Sequence, residues 1–156
     1  TSLGYSKQDF LAVQLGANVF FALGILVAGY WADKSSVQRV LGTGAVLTAV
    51  IGLGFGSGLG SGSLPIVFAT LAGSLFVMGL VYGPLGAWLP TLFPVSVRYT
   101  GISLAFNIGG IIGGALAPFA AVWAAAAGGT AYAGLFLTLA GAMTIAGVTF
   151  APKLKT

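Results

Sequence analysis

Five long uncharged stretches, at residues 10–32, 40–58, 65–93, 99–124 and 131–151, alternate with short segments that hold most of the polar punctuation. Each is close to the ~20 apolar residues that a helix needs to cross a hydrocarbon core of about 30 Å. None shows the sustained apolar–polar alternation of a strand. The pattern predicts five transmembrane helices. Asp33 to Arg39 is the polar loop between the first two, and a segment rich in Gly and Ser ending at Pro65 separates the second from the third. Proline suits a first helical turn, where its missing N–H costs nothing. Pro94 closes the third stretch, Ser96 is expected to cap the fourth, and Gly128-Gly129-Thr130 divides the fourth from the fifth.

Composition removes the alternatives. Of 156 residues, 58% are hydrophobic and 5% charged, against roughly a quarter charged in a soluble domain, so a soluble fold is excluded. The chain has neither Cys nor His; no metal or cofactor site is expected, and no thiol chemistry. The six basic residues are scattered between apolar runs and form no patch for nucleic acid. They sort by side instead. With five spans, Lys34, Arg39, Arg98, Lys153 and Lys155 fall on one face of the membrane and only Lys7 on the other. Basic loops mark the cytoplasmic side, which puts the N-terminus of this chain outside and its C-terminus inside. The chain opens at Thr1 without a basic leader and reads as a piece of something longer.

Polar residues inside the spans are few. Gln14 and Asn18 lie one turn apart in the first, Tyr82 and Trp88 in the third, and Asn107 in the fourth. Lipid rewards none of them, so these three spans are expected to face protein or water, and the second and fifth to face lipid. An interhelical hydrogen bond and a place along a solute path are both open for the amides. The fourth span carries two overlapping Gly-x-x-x-Gly pairs, Gly109 with Gly113 and Gly110 with Gly114, a spacing that admits another helix backbone. In the third span Gly83, Pro84 and Pro90 predict a bend. Each proline deprives the carbonyl four residues earlier of its donor, and such carbonyls are tolerated at membrane depth where a cavity or a neighbour satisfies them.

The run YGPLGAWLPTLFPVSVRYTGISLAFN from Tyr82 to Asn107, followed by GGIIGGALAP from Gly109 to Pro118, resembles the tenth and eleventh helices of the metabolite:proton symporter branch of the major facilitator superfamily. Gly29-Tyr30-Trp31-Ala32-Asp33-Lys34 is similar to that superfamily's Gly-x-x-x-Asp-basic signature between helices eight and nine. There are two departures: Ser35 to Gln38 delay the next basic residue to Arg39, and Thr91 stands where the branch commonly has a glutamate. The resemblance spans the chain and implies an all-α transmembrane fold, a five-helix fragment (helices eight to twelve) of a six-helix half of the bundle. It also implies a bacterial inner-membrane location, and the N-terminal half of the same transporter as partner. Small organic solutes and protons are then the substrates, moved by alternating access, with the tenth helix lining the cavity and the ninth and twelfth on lipid.

No nucleophile with a base and no buried aspartate pair lies in any span, so an enzyme is not expected. The competing reading is a helical membrane subunit that acts by association. For the transporter, Tyr82 is expected at the solute near the midplane, Trp88 nearer the cytoplasm, with Asn107, Gln14 and Asn18 adding polar contacts. Asp33, Lys34, Arg39 and Arg98 are expected to form an inner charge cluster in which Asp33 pairs with Arg98 or Arg39. No span holds a carboxylate or histidine, so the coupling proton would be carried elsewhere in the transporter.

Overall fold

The computed structural model describes residues 6–127 and 129–151, without the side chains of residues 121, 124, 125, 130 and 131. Lys153 and Lys155, which vote on sidedness, and Gly128 lie outside the described residues. Five helices span them: α1 (Lys7–Lys34), α2 (Val37–Leu59), α3 (Leu64–Trp88), α4 (Arg98–Ala127) and α5 (Thr130–Phe150). All five are long and apolar enough to cross a membrane, and the described residues contain no strand. Local chemistry sets the ends. The Ser6 hydroxyl accepts from the Asp9 amide at 3.1 Å to start α1, and Ser36 accepts from Arg39 at 3.3 Å to start α2, each satisfying a donor that the helix leaves orphaned. Pro65 occupies the first turn of α3.

The third stretch departs from its expected length. Helix α3 runs unbroken through Pro84 but ends at Trp88, and two 3-10 turns, Leu89–Leu92 and Val95–Val97, lead into α4. Pro90 lies in the first of these turns, where it has no α-helical ladder to interrupt. Ser96 lies in the second turn, so it does not cap α4.

The helices pack in the order α1, α3, α2, α5, with α4 to one side touching α5 and the turns at its own start. Helices α1 and α3 run parallel, joined where Phe20 meets Phe68 edge-on at 5.9 Å and where Gly24 faces Gly79. Helices α2 and α5 run antiparallel, with Gly52 against Gly134 and Gly141 against Ala45 and Ala49. The Thr138 hydroxyl donates across this interface to the Ala49 carbonyl at 3.2 Å. Thus α2 and α5, expected on lipid, present outer faces such as Leu53 and Met143 while their inner faces form a close small-residue interface. A core of Ala28, Val40 and Leu80, backed by Ala32 and Phe76, sits where α1, α2 and α3 meet.

Candidate functional site: an aromatic and amide stripe between α1 and α3

Tyr82 stands on α3 with about half of its surface exposed (51%). Its ring lies 5.8 Å from that of Phe21, tilted by 50°, a separation at which two aromatic rings attract. Pro84 is buried two residues on, and Gly83 lets α3 approach α1, since a Cβ there would stand 3.2 Å from the Ile25 carbonyl and 3.4 Å from Ala28. Close helix approach therefore accounts for Gly83, which the sequence alone associated with a bend.

Phe21 follows Gln14 by seven residues, two helical turns, and so shares its face of α1. Both Gln14 and Asn18 are exposed, and among the described residues neither amide makes a hydrogen bond. The interhelical bond left open for them is not formed. A stripe of two unpaired amides thus leads down α1 to the Phe21 and Tyr82 rings. Beside it, α2, α3 and α5 enclose a groove of about 370 Å³ lined by Tyr82 together with Ser74, Met78, Thr48 and Thr144 among others. Thr48, Ser74 and Thr144 donate to carbonyls of their own helices at 2.7 to 2.8 Å. Of the groove's polar side chains, only the Tyr82 phenol has no hydrogen bond among the described residues.

The remaining candidates lie apart from this stripe. Trp88 is 9% exposed, packed at the foot of α3, and does not line the groove. Asn107 is exposed on α4 and donates to its own helix, to the Ser103 carbonyl at 2.8 Å and the Ser103 hydroxyl at 3.3 Å; with α4 standing off α3, it does not reach Tyr82. Gly109, Gly110, Gly113 and Gly114 have nothing within 4 Å of where a Cβ would be, so no helix among the described residues packs on their surface. Asp33 is exposed and forms no ion pair among the described residues. The cations have other partners: Lys34 Nζ sits 4.4 Å from the Tyr30 ring centroid, and Arg98 Nε donates to the Phe93 carbonyl at 3.4 Å. Arg39 is exposed, its backbone amide taken by Ser36. The charges share one end of the molecule without the expected Asp33 pair, because α1, which carries Asp33, and α4, which carries Arg98, do not touch among the described residues. Phe21 was not singled out by composition; its two-turn spacing from Gln14 was the available signal.

The chain is similar along most of its length to proteins named for metabolite transport. The chain is 36% identical over 147 residues to the inner membrane metabolite transport protein YhjE of Escherichia coli, covering 92% of this chain and 33% of that protein. It is 33% identical over 153 residues to a Haemophilus influenzae protein named for metabolite transport, covering 98% of this chain and 34% of that one. A cis,cis-muconate transport protein of Acinetobacter baylyi is 29% identical over 157 residues, covering 95% and 34%. The chain spans about a third of the length of the curated relatives it matches, as a fragment from the C-terminal half of a major facilitator transporter would. No family model matches the chain, and no solved structure matches it.

Proposed function

We infer that this chain belongs with the metabolite transport proteins it matches, and that it supplies five transmembrane helices to a secondary transporter for a small organic metabolite in the bacterial inner membrane. The observation that carries this reading is the stripe itself. Among the described residues, Gln14 and Asn18 are exposed without hydrogen bonds on a helix otherwise apolar enough to span a bilayer, and they lead to a phenol that is also unbonded there. Bare amides are costly against lipid, so this face of α1 and α3 belongs against water or solute. Neutral donors recognise a solute by hydrogen bonding without fixing its charge. The transport cycle is alternating access, and its coupling proton is carried by a group outside the apolar stretches 10–32, 40–58, 65–93, 99–124 and 131–151, which hold no carboxylate or histidine. The distribution of basic residues supports a cytoplasmic side for the loops at Ser35 and Ser96 and an outer side for those at Ser61 and Thr130.

The test is uptake by the full-length transporter, begun with cis,cis-muconate and extended to other small organic acids. Tyr82→Phe keeps the packing on Phe21 and removes only the hydroxyl. Loss of one solute hydrogen bond, ~0.5 to 1.5 kcal/mol, raises the apparent KM about 2- to 13-fold. Unchanged KM and rate would remove Tyr82 from the path. Labelling of single cysteines at Ser35 or Ser96 by an impermeant reagent from outside intact cells would overturn the orientation.

A further inference from the structure

The link from α3 to α4 is held at four points. The Thr91 hydroxyl donates to the Trp88 carbonyl at 2.6 Å, the Val97 amide to the Pro94 carbonyl at 3.1 Å, and Arg98 Nε to the Phe93 carbonyl at 3.4 Å. The fourth point joins the link to the helix beyond it. The Phe93 ring lies over Gly101 so closely that a Cβ there would overlap it, 2.7 Å from Cγ itself and not merely from the far rim of the ring. A ring pinned at Cγ has no flexible end to move aside. Arg98 adds a second oddity. A cation in the first turn opposes the helix dipole, and here its guanidinium turns back to the carbonyl before Pro94 instead of extending along α4.

These contacts matter because little else orients α4. From Ser103 to Phe119 every residue except Ala105 is exposed, and beyond the link α4 rests, among the described residues, only on α5, where Trp123 meets Tyr132 at 5.5 Å. We propose that Phe93 and Gly101 form a clasp, a pair of positioning residues that makes α4 turn as one body with the foot of α3. Its role in transport rests on the function proposed above: movement of the Tyr82 helix is passed to α4 through the clasp. The clasp itself does not rest on it.

Nitroxide labels at Ala69 on α3 and Leu116 on α4, each on an introduced cysteine in the full-length protein, report the angle between the two helices as a distance distribution. The expected result is one narrow distribution in the parent protein and a broad or displaced one in Gly101→Leu, which expels the ring. It should narrow again in Gly101→Leu/Phe93→Ala, where the new side chain fills the vacated place. A milder variant guards against failure to fold. Gly101→Ala improves helix propensity, so without a clasp its melting temperature rises; with the clasp it falls. An unchanged distribution in Gly101→Leu, no recovery in the double variant, or a raised melting temperature in Gly101→Ala would each overturn the proposal. These readouts hold whether or not any solute is carried. If transport proceeds as proposed, Gly101→Leu also lowers turnover several-fold with KM unchanged, whereas a rise in KM alone would assign Gly101 to binding.

Discussion

Gly52 on α2 and Gly113 on α4 both sit mid-helix in apolar sequence, yet their surroundings are opposite. A Cβ at Gly52 would press on the Gly134 carbonyl at 2.8 Å and the Thr138 amide at 2.6 Å; one at Gly113 would meet nothing within 4 Å. The difference does not lie in spacing, since both helices carry Gly-x-x-x-Gly pairs, Gly52 with Gly56 on α2 and Gly109 with Gly113 on α4. It lies in the partner. Close packing needs small residues on both helices at matching heights, and α5 supplies Gly134 and Gly141 opposite Gly52 and Ala45 in antiparallel register. Helix α3 spends Gly79 and Gly83 on α1, and nothing in the described residues remains to fill the face of α4. A glycine stripe states that a backbone can approach; it does not say which backbone does.

The largest effect should come from the crossing of α1 and α3. In Gly24→Leu the new side chain would run into the Phe76 carbonyl and Gly79 Cα, backbone that is held on both sides. Overpacking a well-filled site costs ~1 to 3 kcal/mol and sometimes more, so the melting temperature in detergent and the resistance to protease should both fall clearly. Gly52→Leu should behave alike, and Gly113→Leu should melt with the parent. If Gly113→Leu proves as damaging as Gly52→Leu, α4 packs against a partner and the contrast between the two regions collapses.

Alanine sharpens the same comparison at smaller scale. Gly113→Ala adds a methyl to open space and should be neutral, or stabilising by up to ~1 kcal/mol through helix propensity. Gly52→Ala places its methyl against the carbonyl and amide of α5 and should lower the melting temperature. Next in size is Thr138→Val, which removes the hydroxyl that reaches the Ala49 carbonyl at 3.2 Å while keeping the shape. Interhelical hydrogen bonds in membranes average ~0.6 kcal/mol, with a maximum near 1.7. A loss of that order is expected, and none at all would mean that the bond to Gly134 within α5, at 3.1 Å, is the one the hydroxyl keeps.

The number and type of helices were legible because apolar length and the scarcity of charge leave few other structures for such a chain in a bilayer. The end of α3 was not, since an uncharged run to Phe93 does not reveal that the backbone tightens into 3-10 turns after Trp88. Gln14 and Asn18 stood out because amides are rare in apolar spans, and Tyr82 because of the glycine and proline beside it. Phe21, one apolar residue among many, was marked only by its two-turn spacing from Gln14, and its contact with Tyr82 emerged once α1 and α3 were placed in parallel. The expected pairing of Asp33 failed for a related reason. Charge alone does not register that α1, which carries Asp33, and α4, which carries Arg98, do not touch among the described residues.

The smallest effect should be that of Asn107→Leu. Asn107 and Thr138 are both polar side chains within apolar helices, but Thr138 bonds across an interface and Asn107 only to Ser103 on its own α4. Removing the amide forfeits no interhelical bond and places a leucine where Leu104, Ile108 and Ile111 are already exposed. Stability should therefore stay within ~0.5 kcal/mol of the parent, the range of surface substitutions that break no named feature. If Asn107→Leu instead costs as much as Thr138→Val in the same melting assay, Asn107 bonds to another helix. The polar face of α4 that continues from Ser103 through Asn107 to Gly110 is then packed, and α4 belongs with α2 and α5 rather than apart from them.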